Sequence, residues 1–370
     1  MNVVTGVNYG AYGTGEKPII SGSLKEYASE SLWIASAYEN IWMLSLPGNR
    51  QAGVITFNND ASCGHRRFSI SCVAANGDYY HDLENGVLYL YLKDGNPGEY
   101  FDSIEIGTTA ILVNGMPDSG VKRNNITLQN ISLKYATKLG MDFEYSTGIS
   151  VSGCEFSWIG GTVYGTLNGE KTIRMGNAVQ FWAQASNCKV EYSSFKQIFD
   201  AAITFQGATS SNQSFTGITF DNNLIEYCSM NIEFWGANEA KNDTSNTVIK
   251  EVSVTNNIVR FGGYGWGGRQ RYDISNQAML LCWNFEYSED NINNVTVSGN
   301  ILDCANCYFF YASTSLLNVI TFSGNSYYQK ISMHNVGVTR GGTAAVEGQD
   351  QFETEIKKID ADPANVYWLE

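Results

Sequence analysis

The chain has 370 residues with 37 Gly, 5 Pro and 13% aromatic side chains, a composition that favours a strand-rich packed protein and excludes a disordered one. Its formal net charge of −14, from 37 acidic against 23 basic residues, opposes broad attachment to nucleic acid or to an anionic membrane and weakly disfavours polyanionic sugars. No stretch of the sequence approaches the roughly 18 consecutive apolar residues of a membrane span.

Met1 leads almost directly into GVNYGAYGTGEKPII, which reads as the middle of a structural element. A trimmed chain is expected, without its export signal and first strands. Residues 1 to 120 alternate strand-like runs with Gly and Asp turns, as in GVLYLYL from Gly86 followed by Lys-Asp-Gly. They are expected to form the first coils and a strand-rich cap.

From residue 121 to 335 the chain repeats itself. Seven nine-residue blocks align without gaps: NITLQNISL from Asn125, GISVSGCEF from Gly148, NCKVEYSSF from Asn187, GITFDNNLI from Gly217, EVSVTNNIV from Glu251, NVTVSGNIL from Asn294 and VITFSGNSY from Val319. The second position holds Ile126, Ile149, Cys188, Ile218, Val252, Val295 and Ile320, and the fourth holds Leu128, Val151, Val190, Phe220, Val254, Val297 and Phe322. That alternation predicts strands whose inner faces stack into one column. The seventh position is Asn223, Asn257, Asn300 and Asn325 in four of the last five blocks, which predicts stacked bends and an asparagine ladder, because Asn tolerates left-handed backbone.

A second strand follows each of the first six blocks: GMDFE from Gly140, AVQFW from Ala178, AITFQ from Ala202, NIEFW from Asn231, MLLCW from Met279 and YFFYA from Tyr308. In coils two and five it comes late, so residues 160–177 and 262–277 are insertions. They leave the same edge of the solenoid and are expected to flank coils three and four as two walls. Residues 336–370 lose the pattern. The charged run from Gln351 to Asp360 is expected to be helical, within a distal cap.

A basic coil of about 24 residues with insertions at its turns suits a parallel solenoid, and the Leu-rich signature of a leucine-rich repeat is missing. The coils resemble those of pectate-lyase-like right-handed parallel β-helix proteins, a superfamily rich in glycoside hydrolases and polysaccharide lyases. The resemblance covers residues 121–328. The upstream GAYGTGEKPIISGS and YYHDLENGVLYLYLKDGNP are similar to the N-terminal portion of secreted bacterial β-helix proteins. The resemblance implies an all-β fold, a secreted or cell-surface location and an oligo- or polysaccharide partner; a monomer is expected, and the charge and the lack of an apolar span predict no nucleic acid and no membrane insertion. One fold hosts many chemistries, so the site must be argued from its own residues.

In the second strand the third and fifth positions face outward. The third runs Asp142, Gln180, Thr204, Glu233, Leu281 and Phe310, and the fifth runs Glu144, Trp182, Gln206, Trp235, Trp283 and Ala312. Tryptophan faces stack on the CH faces of sugar rings and amides bond their hydroxyls, so Gln180, Trp182, Gln206, Trp235 and Trp283 are expected to bind glycan, helped by Trp266, Arg269 and Arg271 from the second insertion. The competing reading packs these tryptophans under the inserted loops as a satellite core.

Between the insertions lie Asp200, at the turn into AITFQ, and Glu233 on the next coil. One coil step plus a sideways offset brings them within roughly 5 to 9 Å, a range that suits retaining or inverting glycosidases. Glu233 is expected to be the acid/base and Asp200 the nucleophile or base, because a neighbouring Trp lowers polarity and raises a carboxyl pKa. Asp142 lies three coils away and, with Glu144, forms an alternative acidic pair. A lyase would instead use cations such as Lys196, Arg174, Arg260, Arg269 or Arg271, and a non-catalytic binding module would use the tryptophan face alone.

No cofactor is expected, although a bound calcium ion would reverse the local charge argument. The CxxC from Cys304 to Cys307 has no second pair to complete a zinc site, and Cys188 and Cys282 fall at core positions. None of the three histidines, His65, His81 and His334, lies in the paired coils.

Overall fold

The computed structural model describes all residues except 49, 117–121, 168–170, 208–211, 237–246, 272–276, 284–290, 313, 331–336, 340–345 and 370. Each coil carries three parallel strands. The first half of every block pairs with its counterparts, from Asn124–Gln129 through the ends of Leu139–Ser152 and Asn177–Glu191 to Gln213–Asp221, Thr247–Thr255, Ile292–Ser298 and Ile320–Ser323. We call this the block sheet. The second half of each block builds a nine-stranded parallel corner sheet that runs from Ile19–Ser21 to Asn365–Leu369.

The third strand of each coil builds the groove sheet. It runs from Ile111–Gly115 through the starts of Leu139–Ser152 and Asn177–Glu191 to Ala201–Gln206, Met230–Trp235, Ala278–Trp283, Tyr308–Tyr311 and Gly337–Thr339. The two long strands pass from groove sheet to block sheet without a break and join them. The fold is therefore an all-β parallel β-helix.

Register follows the apolar alternation. Ile126 lies opposite Ile149, and Cys188, Ile218, Val252, Val295 and Ile320 continue the column, none more than 7% exposed. Coils stack about 4.8 Å apart, which lets aromatic rings stack as well, as Phe205 does on Phe234 at 4.4 Å. In the sixth coil the frame slips by one residue. Leu281 pairs with Tyr311 rather than Phe310, so Phe310 turns inward, Tyr311 takes the outward column and Ala312 does not occupy the fifth position. A one-residue change of register exchanges the two faces of a strand.

The left-handed residues are not the ladder asparagines. Positive φ falls one position earlier, at Asn130, Gly153, Tyr192, Asn222, Asn256, Gly299 and Gly324, with values from 52 to 66°. The seventh-position amides turn inward instead, at most 2% exposed. Asn257 Nδ2 donates to Asn300 Oδ1 at 3.0 Å and to Phe220 O at 2.9 Å, while its backbone N–H donates to Asn300 Oδ1 at 2.9 Å. Asn223 and Asn300 repeat the arrangement one coil to either side. Beyond Asn325 the ladder closes on Asp360, whose carboxylate accepts from Asn325 Nδ2 at 2.9 Å and from the Tyr327 hydroxyl at 3.0 Å.

The C-terminal helix Gln349–Lys357 covers this end of the coil and buries Phe352 and Ile356 in the main core.

Three excursions leave at one bend, between a corner strand and a groove strand. In the coil that precedes the Asn125 block, formed by Asn8–Gly10, Ile19–Ser21 and Ile111–Gly115, the excursion is a whole strand-rich unit. That unit has a five-stranded and a three-stranded sheet around its own core of Trp33, Leu44, Ile55, Tyr79, Leu88, Leu90 and Ile104. The insertion in coil two is a hairpin, Thr162–Leu167 with Lys171–Met175, and the insertion in coil five begins with the short helix Trp266–Gln270.

The last two share an edge as expected, but they do not stand apart as two walls. Arg174 of the hairpin donates from Nη1 to Gln270 Oε1 at 3.0 Å and lies 4.3 Å over the Phe199 ring, and Trp266 packs with Val54, Tyr135, Trp158 and Phe199. Gly161 permits this closeness. It has φ 85°, and a Cβ there would meet the Gly53 carbonyl oxygen at 2.3 Å. The N-terminal unit and both insertions thus form one platform beside coil three.

Candidate active site

The outward face of the groove sheet is laid out by register. Asp142, Gln180, Thr204, Glu233 and Leu281 follow one another across successive coils, and Glu144, Trp182, Gln206, Trp235 and Trp283 run parallel to them. The face divides into two polar groups and an apolar patch.

The first polar group is a neutral-amide network around a carboxyl. Gln180 Nε2 donates to Asp142 Oδ1 at 3.0 Å, and Gln180 Oε1 accepts from Asn177 Nδ2 at 2.9 Å and Gln206 Nε2 at 2.8 Å. Asn177 Oδ1 in turn accepts the backbone N–H of Ala201 at 3.0 Å, which ties the network to the start of the next strand. Asp142 is 4% exposed. Burial pushes its carboxyl up to about 6, against the opposing pull of Gln180 and Lys138.

The second group lies against the platform. Asp200 sits at the bend before Ala201–Gln206, its backbone held between Gly176 O and the Met230 N–H, and its carboxylate forms an ion pair with Arg271. Arg271 follows directly on the helix Trp266–Gln270, and its N–H donates to Gly267 O at 2.9 Å. Glu233, on the neighbouring coil opposite Thr204, is 9% exposed. Burial holds its carboxyl well above the usual carboxylate range and the Asp200 charge adds to the shift, while Thr204 and Arg271 oppose it.

Beyond Glu233 the face turns apolar. Met230, Ala278, Leu281 and Tyr311 pack together outside the coil, with Trp235 and Tyr308 against them. Trp235 packs against this patch of groove-strand side chains and is half-buried. Trp182 is half-buried on the same face. The Trp283 side chain lies outside the described residues.

Trp266 requires a correction. It is 3% exposed, donates from Nε1 to Gln197 O at 2.8 Å and belongs to the platform core, so it offers no surface to a sugar. Arg269 is exposed on the same helix.

Three of the five cations considered for a lyase are elsewhere. Lys196 and Arg260 project from the corner sheet, Arg260 paired with Glu226 at 2.6 Å, and Arg174 is buried in the platform. Sequence reasoning did not single out Asn177 or Gln270. Thr204 stood in the third column and was legible as a neighbour of Glu233. Among the described residues, no group of three or more His, Cys, Asp or Glu side chains is arranged to hold a metal ion.

No protein-family model and no curated protein matches this chain. Solved structures give remote likenesses only. XylC in complex with xylose shares 12% identity, covering 89% of this chain and 61% of that one, with a TM-score of 0.49. A structure described as a glycoside hydrolase shares 9% identity, covering 81% of this chain and 57% of the other, at a TM-score of 0.32. A mutant tailspike protein of E. coli bacteriophage HK620 in complex with a hexasaccharide shares 14% identity, covering 64% and 41%, at 0.27. This chain spans less than two thirds of the length of each. The assignment as a parallel β-helix rests on the strand pairing of the chain itself.

Proposed function

We propose that this protein is a glycoside hydrolase that cleaves an oligo- or polysaccharide laid across the groove sheet, with Glu233 as general acid/base and Asp200 as nucleophile or water-activating base. One observation carries the reading: a desolvated carboxyl on an outward-facing strand position, next to a second carboxylate that is paired with an arginine. Burial keeps the proton on Glu233 near neutral pH, so it can protonate the departing glycosidic oxygen as the C–O bond breaks. Asp200 then bonds to the sugar carbon, giving a glycosyl-enzyme that water deprotonated by Glu233 hydrolyses, or itself takes a proton from the water that attacks that carbon. Arg271 holds the Asp200 carboxylate in place. Trp182 and the open side of Trp235 supply apolar faces for sugar rings, with Gln206 between them.

A polysaccharide lyase would draw on Lys or Arg near the sugar, a charged one to neutralise the uronate and a deprotonated one to take the proton. Of the groups considered, Arg271 lies by the groove, where it is engaged with Asp200. The deciding experiment incubates the protein with a panel of neutral and uronate-containing glycans, following reducing ends and the absorbance of unsaturated products in parallel. New reducing ends without unsaturation support hydrolysis. Unsaturated products would establish a lyase, and binding with neither product would establish a binding module.

A further inference from the structure

The reacting face belongs to the β-helix, yet the residue beside Asp200 is held from outside it. Gln270, immediately before Arg271, uses its whole side-chain amide on distant segments. Its Oε1 accepts the Arg66 N–H at 3.3 Å and Arg174 Nη1 at 3.0 Å, and its Nε2 donates to Gly64 O at 2.9 Å. Arg66 and Arg174 are 6% and 3% exposed, and both donate to Gly161 O, at 3.0 and 2.9 Å. Among the described residues neither meets a carboxylate. They are fixed instead by carbonyl and amide oxygens, including Gln51 Oε1, which takes Arg66 Nη2 at 2.9 Å.

The helix Trp266–Gln270 cannot hold itself. It has five residues, two of them Gly267 and Gly268, and a helix so short and glycine-rich is not stable on its own. Trp266 anchors its start, donating through its backbone N–H to Gln197 Oε1 at 3.0 Å, and Gln270 anchors its end. Arg271 leaves from that second anchor.

We propose that Gln270 is a positioning residue that ties Arg271 to the N-terminal unit, so that residues 64 and 66 set the placement of Arg271 against Asp200. The idea rests on the reading of Asp200 and Glu233 as the reacting pair. A small displacement of a positioning group is enough to lower turnover strongly, because the geometry of approach is part of the barrier.

The test labels glutamate with carbon-13 at the carboxyl and follows the Glu233 titration by NMR in the full chain, the signal being assigned by its loss in Glu233→Gln. The groups that act on this carboxyl are Asp200, Thr204 and Arg271, with Cys282 nearby. In Gln270→Ala the Arg271 cation is no longer held close. Glu233 should then titrate at higher pH than in wild type, and turnover should fall by about tenfold or more with little change in KM. Gln270→Glu keeps acceptors for Arg174 and for the Arg66 N–H but loses the donor to Gly64 O, and should recover part of the wild-type titration. An unchanged titration in Gln270→Ala, with or without a lower melting temperature, overturns the proposal and makes Gln270 a packing residue. If the titration moves while the wild-type protein cleaves no glycan, the hydrolase reading fails and the positioning role stands.

Discussion

Asp142 and Glu233 occupy the same column of the groove sheet, three coils apart, and both are buried carboxyls displaced upward from their ordinary range. Their surroundings differ in weight. Asp142 is held chiefly by neutral amides in a network that ends on the backbone of the next strand, with the charges of Lys138 and Glu144 acting least, whereas for Glu233 a second carboxylate, itself paired with Arg271, is the largest influence after burial. A displaced carboxyl by itself marks only desolvation. A neighbour that carries the complementary role distinguishes a candidate acid from a buried structural group.

The largest expected effect separates the two directly. Glu233→Gln should lower turnover by about 10² to 10⁴-fold while glycan affinity is retained, since the amide keeps the shape but cannot deliver a proton. Asp142→Asn should lower it by less than about tenfold, because Asn can still accept from Gln180. Steady-state rates on one cleaved glycan suffice, and equal losses would dissolve the distinction between the two groups.

Asp200→Asn sharpens the comparison from the other side. Turnover should again fall by about 10² to 10⁴-fold. Because a like charge has been removed, Glu233 should also titrate at lower pH than in wild type, whereas Asp142 should not move. Carboxyl titration by NMR reads both at once, and a fixed Glu233 signal would show that the two carboxylates do not interact.

Stability should reveal the structural role of Asp142. Its folded-state pKa, about 6, lies above its unfolded value near 3.8, so the folded chain holds the proton more tightly. Stability from this group is present below the unfolded value and is lost as pH rises towards 6, by at most about 3 kcal/mol. Urea midpoints at pH 4 and pH 7 should show this fall in the wild type and a smaller one in Asp142→Asn. An identical slope in the variant would mean that other groups carry it.

The smallest effects concern the tryptophans. Trp182→Ala should weaken glycan binding by about tenfold or less with an unchanged melting temperature, on the scale of a single stacking contact. Trp235→Ala should also lower the melting temperature, because its inner side packs on the Met230 and Leu281 cluster. Calorimetry on both variants tests the pair, and loss of stability without loss of binding at Trp235 would assign it wholly to packing.

The solenoid was legible because Ile126, Ile149 and their successors repeat one pattern, and a repeat states its own register. The sixth coil slipped where that pattern is silent. In YFFY both faces are apolar, so alternation gives no frame. The asparagine ladder was visible as a recurrence at one position, but the strained bend residue is its predecessor, and the inward turn of the amide explains why Asn223, Asn257, Asn300 and Asn325 recur at the seventh position of their blocks. Trp266 was misplaced because a Gly-rich segment reads as an exposed loop. Its packing partners Val54, Tyr135 and Phe199 are far away in sequence, and contacts at that range leave no local periodicity. A coil before the Asn125 block was expected within residues 1–120, but its strands could not be placed, since Asn8–Gly10 and Ile19–Ser21 are three-residue strands separated from their companion Ile111–Gly115 by an entire folded unit.

The ladder also has a direction. Each asparagine offers its oxygen to the preceding coil and its amide hydrogens to the next asparagine's oxygen and to a backbone carbonyl of the preceding coil, so the interior rungs are alike, while the last rung needs an acceptor from outside the repeat. Asp360, an acceptor and not an amide, meets that need from the segment beyond the terminal helix. The arrangement specifies a terminus without specifying a length. Between Asn223 and Asn325 each rung repeats the bonding of the one before it, whereas the group that closes the chain comes from outside the repeat, which makes the ladder modular in its middle and singular at its distal end.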